Sequence, residues 1–499
     1  MRAIIFFTKV PVLRRCKTRL LDFLSPDEAL NLQKKLIKEN FSVLQSLKFK
    51  IFIFHSDDGD VQILKDLTSQ NVRFFAQQGV GLGEKMSKAF KEIFALGYDK
   101  VLLMGSDIVG LKKEFLENAF LNLDTQDLVL APSDDGGYSL IGLKKPCDEL
   151  FKIEFSKDNV CENTVKTALN LGLKCEVLPR LQDIDTKEDI FKFIVKSDVK
   201  LLASGEYNAN YIYEKDGVKR LFRVKFGSQI EVENPTLYEY NALLALQNCG
   251  VVPKVFKYYE KSEFLPYGAF EMEFLEGRAL DYKKDLLIAS KLLAKVHNAK
   301  TQSNSSFLQI QKPFLAMYEE CEKMAKAYFE YEKADKKILE NLIYFFEKVQ
   351  NLGLNDEVEN SCIINTELNN TNFIINQNSY IIDWEKPVVG ECEQDLAHFL
   401  APTTTFFRTD TILQNDEILS FLKEYEKVRK FDIYKFSKYF KFSILRGLSW
   451  CAMAKVEYEN QRNIGNVKEK IDSYFKDDFI LHLKSIFENN CSQTPNLGI

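Results

Sequence analysis

Two groups of polar residues in this chain have the types and spacing that phosphate chemistry needs. In the first group, Thr8-Lys9 and then Lys17-Thr18-Arg19 follow the apolar run AIIFF. Lys and Arg gathered there can neutralise several non-bridging phosphate oxygens, although a solvated basic loop has the same composition. Gly105-Ser106-Asp107 follows VLLM and presents a carboxylate from a glycine-containing turn, suited to Mg2+ or a ribose hydroxyl. In Asp134-Asp135-Gly136-Gly137-Tyr138, two acids adjoin glycines that let backbone approach a ligand, and the same letters spell a tight hairpin turn. In Asp183-Ile184-Asp185-Thr186 either acid could complete a metal site, while Asp185 or Thr186 could equally cap the helix that follows.

The second group lies beyond residue 200. Phosphoryl transfer needs a cover over the phosphates, a cation on them, metal ligands and a residue that orients the acceptor. Ser204-Gly205-Glu206-Tyr207-Asn208 could supply the cover, with Asn208 reaching the nucleotide. Arg223 in LFRVKF could contact the α- and β-phosphates, and Glu239 on the following helix could hold it in place. Strand alternation puts Lys225 on the same face as Arg223, which makes it the rival for that role. EMEFLEG reads as a hinge strand whose backbone would meet an adenine edge. Asn372 and Asp383 flank a hairpin and are spaced as two Mg2+ ligands, enough when phosphates and waters complete the sphere.

The elements that must position these residues follow from periodicity. Residues 1 to about 195 alternate β-type apolar runs (AIIFF, KIFIF, KVLLM, DLVLAPS) with helical stretches such as SPDEALNLQKKLIKENFSVLQ, where Ser25 and Pro26 mark a helix start. That alternation predicts parallel strands covered on both faces, a three-layer α/β domain with ligands outside the strands' carboxyl ends. From Leu201 to about Phe274 the chain reads as a β-rich lobe interrupted by one helix ending at Gly250. From Tyr282 it is mostly helical apart from CIINTELNNTNFIINQNSYIIDWE. This predicts domains over 1–199 and 200–488 and a polar tail over 489–499.

Bulk properties narrow the partners. A net charge of −5 offers no basic surplus for a nucleic-acid backbone, so no nucleic acid is expected. The ten cysteines form no metal-ligand pattern and read as reduced thiols. No run approaches a signal peptide or the roughly 20 apolar residues of a membrane span, so a cytoplasmic location without a membrane span is expected.

The first group also carries a resemblance. FTKVPVLRRCKTRL, QQGVGLGEKM, GSDIVGL, SDDGGYSLIGL and DIDTKED, in this order, resemble glycosyltransferase-A-like bacterial transferases related to nucleotidyltransferases, the nucleotide-diphospho-sugar transferases. The resemblance implies an α/β/α domain in which Lys9, Lys17 and Arg19 cradle a nucleotide or nucleotide-sugar. It places Asp107 at a metal, Asp107 and Asp135 as catalytic groups, and Asp134 and Asp135 facing the donor or acceptor. Where the family's first loop usually has Gly, this chain has Arg14.

Residues 201 to about 410 resemble the aminoglycoside phosphotransferase and choline kinase superfamily, through SGEYNANYIYE, RLFRVKF with Glu239, FEMEFLEG, LAKVHNAK, NTELNNTNFI, IIDWEKP and EQDLAHFL. It implies a bilobal α+β kinase-like fold, Mg2+ on Asn372 and Asp383, ATP on Arg223, and Asp395 as a buttress. His297 and His398 read as structural. The family's His-Gly-Asp loop is here Asn365-Thr366-Glu367, so Glu367 stands where Asp orients the substrate hydroxyl. Acidic and aromatic residues on the later helices, where Tyr318, Tyr328, Trp450 and Tyr458 lie, often hold a cationic acceptor in this superfamily; helical spacing of aromatics more often marks a core.

The expectation is a bifunctional transferase. A kinase domain would phosphorylate a small alcohol or sugar with Mg2+ and ATP, and the first domain would transfer a nucleotidyl or glycosyl group from a second nucleotide or nucleotide-sugar. Such a pair suits decoration of cell-surface glycans. The alternative keeps the first domain active and makes the second a nucleotide-binding pseudokinase, given Glu367.

Overall fold

A computed structural model describes residues 1–69, 72–155, 158–205, 207–227, 231–299, 307–459 and 467–488. The expected tail over 489–499 and Glu206 of the expected cover lie outside the described residues. The chain divides into two compact units. Of the described residues, one unit comprises those within Met1–Gly205, Ala209–Val218 and Tyr259–Gly268; the other comprises Tyr207, Asn208 and those within Lys219–Tyr258 and from Ala269 on.

The first unit is built on a seven-stranded sheet. Its spatial order is Arg73–Ala76, Lys50–His55, Arg2–Thr8, Lys100–Gly105, Tyr138–Leu143, Leu128–Pro132, Cys175–Val177. Alternation along Arg2–Thr8 and Lys100–Gly105 sends side chains to two cores. Ile4, Phe6, Leu102 and Met104 pack with Ile37, Phe41, Leu116 and Phe120 on one face. Ala3, Ile5, Val101 and Leu103 pack with Met86, Phe90 and Ile93 on the other. The three-layer expectation holds. The all-parallel expectation does not, because Tyr138–Leu143 runs antiparallel to both its neighbours. The connection from Pro132 to Tyr138 is a tight turn, and only an antiparallel partner can be reached without a long crossover. The helix Pro26–Gln45 starts at Ser25, whose side chain accepts from the Glu28 amide while Glu28 accepts from that of Ser25.

In the second unit the strand Val218–Lys225 pairs antiparallel with Ala269–Glu273, placing Arg223 opposite Phe270. Asn234 caps the helix Pro235–Leu246 by accepting from the Leu237 amide at 3.0 Å. Past a short 3-10 turn, Gly250 closes this segment at φ 73°, a conformation glycine takes without strain. The hairpin Phe373–Ile374 with Tyr380–Ile381 lies in sequence between the paired strands Ser361–Ile364 and Val388–Glu391. The long helix Ile433–Glu459 packs along Pro313–Phe329, burying Phe314 against Tyr439 and Phe442. Among the described residues no helix is long and apolar enough to cross a membrane.

The helix Cys392–Leu400 buries Glu393, which accepts from the Asp432 amide at 2.7 Å. Burial, reinforced by Cys392, lifts its carboxyl to about 7. The folded state therefore holds a proton that the unfolded chain loses near pH 4.5, and this contribution to stability disappears as pH rises through 7. Glu393→Gln keeps the acceptor oxygen and cannot ionise. Its stability relative to the parent should improve by about 2 kcal/mol between pH 5 and pH 8, read from urea midpoints. A pH-independent difference would contradict this.

Candidate active sites

The first unit gathers its polar residues at the carboxyl ends of the central strands. A cleft of about 610 Å³ is lined by Lys9, Arg15, Lys17, Arg19 and Lys85 together with Asp107 and Asp185. Five cations face two acids, the balance a polyphosphate requires. Lys17 is buried, and its ammonium bridges the acids, 3.0 Å from Asp107 Oδ2 and 3.4 Å from Asp185 Oδ1, while also donating to the Ile184 carbonyl. Burial would discharge it, but the two carboxylates raise its pKa. Burial likewise works against the Asp107 anion, and Lys17 outweighs it, holding Asp107 below the usual carboxylate range. Arg19 stands 3.7 Å from Asp185.

Asp107 is fixed by groups the motifs did not reveal. Gln33 donates to Asp107 Oδ1 at 3.1 Å, and Asn40 donates to the carbonyls of Ser106 and Ile108 at 3.1 and 2.8 Å. Both are buried polar residues on a helix face otherwise made of Ala29, Leu32, Leu36, Ile37, Phe41 and Leu44. Two amides seven positions apart on an apolar stripe were the available signal. Gln77 also lines the cleft, tied to the carbonyls of Thr8 and Phe54 at 3.1 Å each.

Asp134 and Asp135 behave differently. Asp135 accepts from Ser133 Oγ at 2.5 Å and from the Gly137 amide at 2.9 Å, so it holds the turn together. Asp134 pairs with Arg180 at 2.7 Å and Lys192 at 3.8 Å. Neither lines the cleft. Asp135 still acts on the cluster by charge. Asp183 is lifted to about 7, first by burial and then by repulsion from Asp185 and Asp135. Thr186, not Asp185, caps the helix Lys187–Val195. Arg14 adopts the left-handed conformation at φ 61°, one that glycine takes without strain.

The second unit assembles its site from segments far apart in sequence. Arg223 and Lys225 share one buried face, and both pair with Glu239, from Arg223 Nε to Oε1 at 2.9 Å and from Lys225 Nζ to Oε2 at 2.9 Å. Arg223 Nη2 also meets Asp383 Oδ1 at 3.0 Å and Glu385 Oε1 at 2.6 Å, and Asn208 receives Arg223 Nη1 at 3.2 Å. Asn208 in turn donates to Glu385. Arg223, Glu239, Asn208 and Asp383 thus form one network. Burial, then Glu239, lifts Glu385 to about 7 and moves Asp383 in the same direction against the pull of Arg223.

Asn372 sits beside the hairpin, its carbonyl accepting from the Ile382 amide at 2.7 Å and its Oδ1 from the Asn369 amide at 2.8 Å. One lone pair of Oδ1 stays available, and Asp383 has a second carboxylate oxygen. Both are the hard oxygen donors Mg2+ selects. Among the described residues no three His, Cys, Asp or Glu side chains converge as a metal centre. A Mg2+ ion in either unit would share its sphere with phosphate oxygens.

The loop carrying Glu367 is held from beneath. Asp395 accepts from the Asn365 and Thr366 amides at 2.8 and 2.7 Å and lies 3.1 Å from His297 Nε2, whose Nδ1 meets the Tyr425 hydroxyl. His398 is pushed down to about 4 by burial and then Arg446, so it is neutral. Thr366 has φ 73°, the conformation the family's glycine would take, at a cost for a β-branched residue. Thr366→Gly should raise stability by up to about 1 kcal/mol in denaturant titrations, the relieved strain being partly offset by chain entropy. Glu367 Oε1 receives Lys386 at 2.8 Å and Arg446 at 3.1 Å. Burial alone would raise its pKa, yet these two cations bring it to about 2. Arg446 and Lys386 were missed, although a lone Arg inside KFSILRGLSWCAMA was a visible anomaly.

Comparison with known proteins finds matches in both parts of the chain. Residues 40–157 match the family described as "Uncharacterized protein conserved in bacteria (DUF2064)", and residues 198–431 match the phosphotransferase enzyme family. The 2-phospho-L-lactate guanylyltransferase of Methanocaldococcus sp. (strain FS406-22) is 28% identical over 228 residues, covering 44% of this chain and 94% of that protein. A protein from Desulfovibrio desulfuricans G20 named as a nucleotide-diphospho-sugar transferase is 33% identical, over 38% of this chain and 85% of its own, with a TM-score of 0.37. A choline kinase from Streptococcus pneumoniae is 18% identical, over 61% and 99%, with a TM-score of 0.41. The chain is a transferase in two parts, a region that matches DUF2064 and guanylyltransferases followed by a region that matches the phosphotransferase enzyme family.

Proposed function

We propose that the chain carries out two consecutive steps on one small molecule. The second unit transfers the γ-phosphoryl group of ATP to a hydroxyl. The first transfers a nucleoside monophosphate from a nucleoside triphosphate to the resulting phosphomonoester, a phosphate oxygen displacing pyrophosphate from the α-phosphorus. The relatives' guanylyl transfer makes GTP the first nucleotide to test and favours nucleotidyl over glycosyl transfer. The observation that carries this reading is the cleft in which Lys9, Arg15, Lys17, Arg19 and Lys85 surround Asp107 and Asp185.

In the first unit Asp107 and Asp185 would hold Mg2+ while the lysines and arginines bind the triphosphate. In the second, Asp383 and Asn372 would hold Mg2+, Arg223 would bind phosphate, and Glu239 would fix Arg223. Mg2+ would supply charge neutralisation at the phosphoryl oxygens. Glu367 at about 2 is a weak base, so its task is to orient the hydroxyl; a loose phosphoryl transition state needs little more. The carboxylate kept at Glu367 and the phosphotransferase family match favour an active kinase over a pseudokinase. A cytoplasmic setting and a part in cell-surface glycan decoration belong to the same proposal.

Phosphorus NMR of the protein with Mg2+, ATP, GTP and a panel of small alcohols tests it. A new phosphomonoester should form from ATP and then become a pyrophosphate diester when GTP is present. Failure of both signals, with nucleotide bound, would overturn the reading.

A further inference from the structure

The acids beside Glu367 are already taken. Glu367 lies against Lys386 and Arg446, and Glu320 receives both Arg446 Nε and Arg446 Nη2 at 2.8 Å. The two cations are largely enclosed, their side chains 19% and 18% exposed, whereas Glu320 and Glu367 are about two-fifths exposed. Hydrogen-bonding capacity is left over on the cations. Among the described residues, Lys386 Nζ spends one of three donors on Glu367, and Arg446 Nη1 reaches only the Thr366 carbonyl, at 3.5 Å. His398 nearby is neutral and adds no charge.

This arrangement does not suit a cationic alcohol. An ammonium brought to Glu367 would have to compete with Lys386 and Arg446, which already pair with it. Of the aromatics expected to hold a cation, Trp450 packs edge-on to Phe407 and the Tyr458 ring already faces Lys468. Tyr328 is buried and donor to none of this cluster, its hydroxyl accepting from the Asp335 amide, and Tyr318 packs edge-on to Phe346. An alcohol bearing a carboxylate would instead find unspent donors of Lys386 and Arg446 within a few ångströms of the place where its hydroxyl meets Glu367.

We infer that the acceptor of the second unit is a small hydroxy acid, its hydroxyl oriented by Glu367 and its carboxylate held by Lys386 and Arg446. This rests on the kinase reading above. The hydroxyl oxygen bonds to the γ-phosphorus as the bond from that phosphorus to the β,γ-bridging oxygen breaks; ADP leaves with the electron pair, and the hydroxyl proton passes to water beside Glu367. The product is a phosphorylated hydroxy acid, a phosphomonoester as the proposed nucleotidyl transfer requires.

Calorimetric titration of the full chain, loaded with Mg2+ and a non-hydrolysable ATP analogue, tests this with L-lactate, D-glycerate, ethylene glycol and ethanolamine as probes. At least one hydroxy acid should bind about tenfold or more tightly than ethanolamine. Lys386→Met should weaken that binding by about 10- to 100-fold, the range for one charge-assisted hydrogen bond, and Lys386→Arg should restore most of it. Ethanolamine or ethylene glycol binding as tightly as both acids, no acid binding at all, or a folded Lys386→Met with unchanged acid affinity would overturn the inference. With ATP in place of the analogue the two proposals separate. Acid binding without any phosphomonoester would sink the kinase reading and support the acid site; preferred phosphorylation of ethanolamine would do the reverse.

Discussion

Glu239→Ala should destabilise the second unit by about 3–5 kcal/mol, because it strands two buried cations at once. Arg223, Lys225 and Glu239 have side chains no more than 6% exposed. Burial alone would favour a neutral Glu239, yet the two cations keep its pKa below the ordinary value. Once the carboxylate is gone, Arg223 retains Asp383 and Glu385, whereas Lys225 has no other ion pair among the described residues. The cost therefore falls mostly on Lys225. It follows that Glu239→Ala combined with Lys225→Met should be less destabilised than Glu239→Ala alone, a non-additivity that urea unfolding of the parent, both single variants and the double variant would measure. Equal or greater loss in the double variant would mean that the network is not the source of the effect.

The second large effect is expected at Asp383. Asp383→Asn should lower ATP-dependent phosphorylation by about a thousandfold or more, the consequence of losing several kcal/mol of metal-borne charge stabilisation. The fold should survive. Asp383 has φ 66°, a left-handed conformation that Asn accepts as readily as Asp, and Asn is the same size. Removing the charge weakens the pair with Arg223 at 3.0 Å but also relieves repulsion from Glu239. Phosphate release from ATP to acceptor, followed by phosphorus NMR beside a thermal melt, separates the two readouts. A melt unchanged and a rate reduced less than tenfold would remove Asp383 from the metal site.

Much of the framework was legible along the chain, because local physics writes it there. Unbroken apolar runs such as AIIFF and VLLM specified strands with two buried faces, and the polar residues directly after them had to stand at the strand ends. Lys9, Lys17, Arg19 and Asp107 do share one cleft. Strand alternation also placed Arg223 and Lys225 on one face, and Glu239 proved to serve both.

What the tertiary structure alone decided is which distant residues share a charge. Lys17 meets Asp185 across 168 positions, Arg446 meets Glu367 across 79, and Gln33 meets Asp107 across 74. No periodicity encodes such pairs, since they depend on how whole elements pack. The same limit explains Asp135, whose letters fit a ligand site and a turn equally until the antiparallel strand Tyr138–Leu143 requires the turn. Local sequence determined which side chains reach the strand ends and loops; packing determined which of their charges are answered by the protein and which remain for a substrate.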